Sequence, residues 1–117
     1  MSDRIQSFQD FYPYYLSEHR TGPCRVCHFI GTIAVLVIAT VALFQGTWLL
    51  LALLPVAGYG GAWVGHFVFE RNRPATFTYP LYSLAGDFVM FRDILVGRVP
   101  LVGDLPQALM EGPFTTP

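Results

Sequence analysis

The sequence predicts an all-α membrane protein, a helical bundle built on a transmembrane hairpin with flanking interfacial helices, and three observations carry that prediction. The first is a run of 44 residues, Val26 to Phe69, without a single Asp, Glu, Lys or Arg. The second is composition: 53% of the 117 residues are hydrophobic and only 13% are charged, about half the charge of an ordinary soluble domain. The third is helical spacing of apolar positions on both sides of the run, at Ile5, Phe8, Tyr12 and Tyr15 and again at Leu81, Leu84, Phe88, Phe91 and Leu95. A length of 117 residues suits one domain, 1–117.

Residues 5–20 form the first interfacial helix. Ser7 or Asp10 can cap it, and Pro13 is tolerated only in a first turn, so a break is expected near Asp10. Five aromatics between Phe8 and Tyr15 suit a belt at headgroup level. Thr21-Gly22-Pro23 reads as a turn. The apolar run is too long for one crossing, which needs about 20 residues, and its polar break at Gln45-Gly46-Thr47 divides it into spans over 27–45 and 47–70. Pro55 should bend the second span, and Gly58, Gly60, Gly61 and Gly65 thin one side of it. Those glycines either let helices touch, through Gly61-x-x-x-Gly65, or leave a slot for an acyl chain; the same face could pair with a second copy in a homo-oligomer. A third helix over 80–97, with Pro80 in its first turn and Gly97 as its stop, should lie along the membrane edge. The Pro/Gly-rich tail, 98–117, is irregular, with at most a short helix at Leu105–Met110.

A net charge of −1 provides no basic field and excludes a nucleic-acid role. All seven cations are arginines, and Arg20, Arg25, Arg71 and Arg73 flank the hairpin, which places both termini and both hairpin histidines on the cytoplasmic side. No signal-peptide pattern occupies residues 1 to 20. Cys24 and Cys27 would then be reduced thiols.

His28 lies 19 residues before Thr47 and His66 lies 19 after it, so an antiparallel hairpin returns both imidazoles to one depth, where they could share a metal ion. His19 can fold back over the same edge. Glu70 follows His66 by one helical turn, and Asp87 interrupts the apolar third helix; either could be a further ligand or orient an imidazole from behind. Arg25, Arg71 and Arg73 could pair with a substrate carboxylate. Cys24-x-x-Cys27-His28 also matches the attachment pattern of c-type haem, and a two-cysteine zinc site would need two more ligands from the histidines.

Four segments carry a family resemblance: Phe11–His19, Arg25–Thr32, Gly65–Thr76 and Ser83–Phe88. The element Gly65-His66-x-x-Phe69-Glu70-x-x-x-Pro74-Ala75 is the most specific of them. Together they resemble the Mpo1-like family, which implies a membrane-embedded iron(II)-dependent dioxygenase. Fungal members shorten long-chain 2-hydroxy fatty acids by one carbon in the endoplasmic reticulum. The resemblance implies that His19, His28 and His66 are the iron ligands, with dioxygen, a long-chain 2-hydroxy fatty acid and membrane lipid as partners. The chain departs from those members in having Glu18-His19 where they carry adjacent histidines, and in a shorter membrane portion between the second and third histidine elements. Iron(II) accepts imidazole and carboxylate and needs open positions for dioxygen and a chelating substrate, so three histidines, or two with Glu70 or Asp87, would suffice. Haem-based electron transfer through Cys24, Cys27 and His28, and a non-catalytic membrane scaffold, are the alternative readings.

Overall fold

The computed structural model describes residues 4–113 and 115; residues 1–3, 114, 116 and 117, at the ends of the expected domain and tail, lie outside the described residues. Among the described residues the fold is all-α, with four α-helices: α1 (Phe8–Ser17), α2 (Gly22–Gln45), α3 (Leu53–Val64) and α4 (Pro80–Leu95). A 3-10 turn at Trp48–Ala52 leads into α3, and a π-helical turn at Gly65–Glu70 extends it. Arms of 24 and 23 residues result, both long and apolar enough to cross a membrane.

The arms turn where the polar break lies. Gly46 takes the left-handed conformation, φ 65°, and its N–H donates to the Ala42 carbonyl, the ordinary close of a helix by glycine. Close approach then holds the hairpin together. A Cβ on Gly61 would lie 2.8 Å from the Cys27 carbonyl oxygen, and one on Gly65 would lie 3.0 Å from that of Cys24. The Gly61-x-x-x-Gly65 face is therefore occupied by α2 of the same chain, not by a second copy. Outward, Phe44 and Leu49 at the turn are 88% and 84% exposed.

The first arm starts earlier than residue 27. Thr21 accepts a hydrogen bond from Cys24 N–H and Pro23 sits in the first turn, so Thr21-Gly22-Pro23 is a cap and helix start and not a free turn. Pro55 likewise falls in a first turn, that of α3, two residues after 3-10 geometry gives way to α geometry at Leu53. No break occurs near Asp10. Ser7 caps α1 by accepting from Asp10 N–H, and Pro13 lies in the second turn; the carbonyl it leaves unpaired belongs to Gln9, which is exposed, so water can satisfy it. The third helix ends at Leu95, with Gly97 at φ 82° just beyond it.

The buried core lies beside the hairpin and not within it. Phe11, Tyr15 and Leu16 of α1, Met90 of α4, and Val99, Leu105 and Met110 of the tail form one cluster. Phe11 and Tyr15 are essentially inaccessible, and the Phe11 ring meets Tyr79 edge-on at 5.5 Å and Tyr82 at a tilt at 5.3 Å. Of the five aromatics expected as a headgroup belt, Phe11 and Tyr15 lie in this core and Phe8, Tyr12 and Tyr14 are partly buried against it, because α4 and the tail wrap the helix. Gly86 makes that contact close: its missing Cβ would stand 2.9 Å from the Tyr15 ring.

Candidate metal centre

Where the hairpin ends meet α1, ligand atoms from His19, Cys24, His28 and His66 lie within 4.8 Å of one another, and all four residues are buried. Ring centroids of the three histidines are 4.4 to 4.9 Å apart. Different elements deliver them. His19 follows the end of α1, Cys24 and His28 are one turn apart in the first third of α2, and His66 sits in the π-helical turn. Such turns recur at functional sites because they rotate a side chain off the regular helical face.

Each Nδ1 is held by an acceptor: the Tyr15 carbonyl at 2.6 Å from His19, the Cys24 carbonyl at 2.8 Å from His28, and Asn72 Oδ1 at 2.7 Å from His66. Asn72 cannot be turned around, since its Nδ2 donates to the Glu18 carbonyl at 3.0 Å. A carbonyl oxygen only accepts, so each Nδ1 carries the proton and each Nε2 a bare lone pair. His19 Nε2 and His28 Nε2 nevertheless stand 3.1 Å apart. Two lone pairs at that distance repel unless a cation lies between them. Protonation is opposed at His19, whose pKa is pushed well down by burial and by the neighbouring His28 and His66. A neutral donor set of this kind fits a metal ion.

The other expected site residues are placed as follows. Glu70 accepts from Thr21 N–H at 2.9 Å and from its hydroxyl at 3.1 Å, holding the start of α2 and standing outside the donor cluster. Asp87 accepts from the Tyr15 hydroxyl, behind the residue whose carbonyl holds His19; burial pushes its carboxyl up to about 6. Arg25 is fully buried and donates to the carbonyls of His19 (2.8 Å), Arg20 (2.6 Å), Pro100 (2.8 Å) and Gly103. It clamps the tail and the His19 loop onto α2, which leaves its guanidinium engaged where a substrate carboxylate was expected. Arg71 is exposed in the left-handed conformation, φ 59°, and turns the chain so that Asn72 reaches back to His66. Arg73 is exposed with its guanidinium 5.0 Å from the Phe77 ring. The Cys-x-x-Cys-His pattern is folded into α2: Cys24 joins the histidines and Cys27 does not, and His28 Nε2 faces His19 Nε2 at 3.1 Å.

Two cavities border the cluster. One of about 20 Å³, the size of a single water, is lined by the three histidines, Ser83 and Asp87 among others. A larger one of about 260 Å³ shares His28, Tyr59 and Asp87 with it and continues between Val35, Leu54, Pro55, Gly58, Leu84 and Phe88. Sequence reasoning missed Asn72, Tyr15 and Ser83 and saw Cys24 only as half of a pair. The nearest signal was the position of Asn72, six residues past His66 beside Pro74.

The class these features define is an all-α chain with two apolar arms of membrane-crossing length and, where they close, a buried His/Cys cluster that suggests a metal site. The sequence profile of the 2-hydroxy-palmitic acid dioxygenase Mpo1-like family matches residues 5–99. The chain belongs to that family. No curated protein and no solved structure matches it.

Proposed function

We propose that this protein is an iron(II)-dependent dioxygenase that shortens long-chain 2-hydroxy fatty acids by one carbon, working at the cytoplasmic edge of a membrane that α2 and the Trp48–Glu70 arm cross. The observation that carries the reading is the pair of lone pairs, His19 Nε2 and His28 Nε2, facing each other at 3.1 Å with both Nδ1 positions protonated. His19, His28 and His66 would hold the iron, and iron there would supply the binding and reduction of dioxygen. Imidazole ligands suit iron(II), and Cys24 adds a softer donor beside them.

The chain's own groups do the rest. The Tyr15 and Cys24 carbonyls and Asn72 fix the three imidazole tautomers. The larger cavity, apolar along most of its wall and meeting the cluster at His28, suits the alkyl tail. Arg71 and Arg73 face the headgroup layer. Iron content of anaerobically purified protein, with oxygen uptake on 2-hydroxyhexadecanoate, tests the reading. Stoichiometric iron that is lost together with turnover in His66→Ala and His28→Ala is the expected result. Variants that keep the metal content of the wild type would leave the histidines as hydrogen-bonding groups of a scaffold and overturn it.

A further inference from the structure

Helix α4 turns two polar side chains, one turn apart, toward the histidines. Ser83 is 4% exposed, and its Oγ is the one buried side-chain nitrogen or oxygen without a hydrogen-bond partner among the described residues. It does not take the usual helical option of donating to the carbonyl four residues back, although the Ser83 N–H does bond to Tyr79 O at 2.9 Å. A buried hydroxyl left without a partner is destabilising, so something it meets only part of the time should be sought where it points. It lines the small cavity with His19, His28 and His66. Asp87 borders both cavities. One carboxylate oxygen, Oδ1, accepts from Tyr15, while no hydrogen bond reaches Oδ2 among the described residues.

We propose that Ser83 donates a hydrogen bond to the carboxylate of the bound fatty acid and that Asp87 Oδ2 accepts a hydrogen bond from its 2-hydroxyl group, so that α4 selects 2-hydroxy acids over plain ones. This rests on the dioxygenase reading for its substrate class. The chemistry matches group by group: an unpaired donor meets an anionic acceptor, and an open anionic acceptor meets the one hydroxyl of the ligand. The apolar cavity begins at Asp87 and receives the chain. A site that hydrogen-bonds a hydroxyl strongly rejects the analogue lacking it, because its own acceptor, cut off from water once the ligand is bound, is then left unpaired.

The test is equilibrium binding of 2-hydroxyhexadecanoate and hexadecanoate to metal-free protein in detergent, read by quenching of Trp63, which lines the small cavity. Wild type should prefer the 2-hydroxy acid by about ten-fold. Ser83→Ala should weaken both acids by about ten-fold and, without ligand, unfold at or above the wild-type temperature, since it removes an unmet polar group. Asp87→Asn keeps an acceptor for Tyr15 and replaces the open one with a donor, so the preference for the 2-hydroxy acid should vanish while binding of hexadecanoate persists. Equal binding of the two acids by wild type, unchanged affinity in Ser83→Ala, or a Ser83→Ala variant that loses stability before any ligand is added, would each overturn the proposal. Oxygen uptake by the iron-loaded protein separates the two levels. Turnover with unchanged Ser83→Ala binding removes the α4 assignment alone; intact discrimination without turnover removes the dioxygenase reading alone.

Discussion

Replacing Arg25 by Met distinguishes a structural clamp from a substrate-binding arginine. The side chain is fully buried and holds four carbonyls, those of His19, Arg20, Pro100 and Gly103; among the described residues no carboxylate pairs with it. Arg20 and Gly103 are exposed residues, so water can take over their carbonyls, whereas His19 is buried and Pro100 half-buried. Two stranded acceptors at about 1–3 kcal/mol each give about 2–6 kcal/mol. Relief from burying a guanidinium offsets part of it, leaving about 3 kcal/mol. The tail loses its anchor at the same time, because Gly22 and Gly103 touch so closely that a Cβ on Gly22 would lie 2.8 Å from Gly103 N. Thermal unfolding of the detergent-solubilised variant should fall by about 10 °C or more, and amide exchange over residues 98–105 should quicken. An unfolding temperature equal to wild type, together with lost fatty-acid binding, would refute the clamp and return Arg25 to the substrate.

Asn72→Ala removes the acceptor that fixes the His66 tautomer at 2.7 Å; metal affinity in chelator competition should drop about 10–100-fold, and an unchanged affinity would mean that His66 needs no such partner. Gly61→Ala drives a Cβ to 2.8 Å from the Cys27 carbonyl and should cost about 1–3 kcal/mol in thermal unfolding. Gly60→Ala, with nothing within 4 Å, should gain up to about 1 kcal/mol, so equal effects would count against close packing at Gly61. Asp87, with its carboxyl raised to about 6 by burial, binds its proton more tightly folded than unfolded. Its stabilisation is complete below the ordinary carboxylate range and is lost as pH rises through 6. Metal-free wild type should therefore gain stability relative to Asp87→Asn between pH 7 and pH 4, and the opposite slope would refute that burial.

The hairpin, its turn at Gly46 and the meeting of His28 with His66 were legible in the sequence, because an uncharged run, a polar break and a fixed rise per residue are local or periodic quantities. So were Pro80 at the start of α4 and the short turn of helix at Gln107–Met110. The burial of Phe11 and Tyr15 was not legible, for an equally local reason: the spacing of Phe8, Phe11, Tyr12 and Tyr15 is the same whether the helix faces lipid, water or a core. What covers a face depends on segments far away in the chain, here α4 and the tail.

Residue type and helical rise were enough to pick out His19, His28 and His66 and to bring two arms back to one end. The roles of the groups around them came from packing. Arg25 became a clamp, Glu70 an acceptor that holds the Thr21 cap, Cys24 a neighbour of the histidines, and Ser83 an unmet donor, because a hydrogen-bonding group takes its role from the partners that packing leaves within about 3 Å, and no spacing along the chain records that distance.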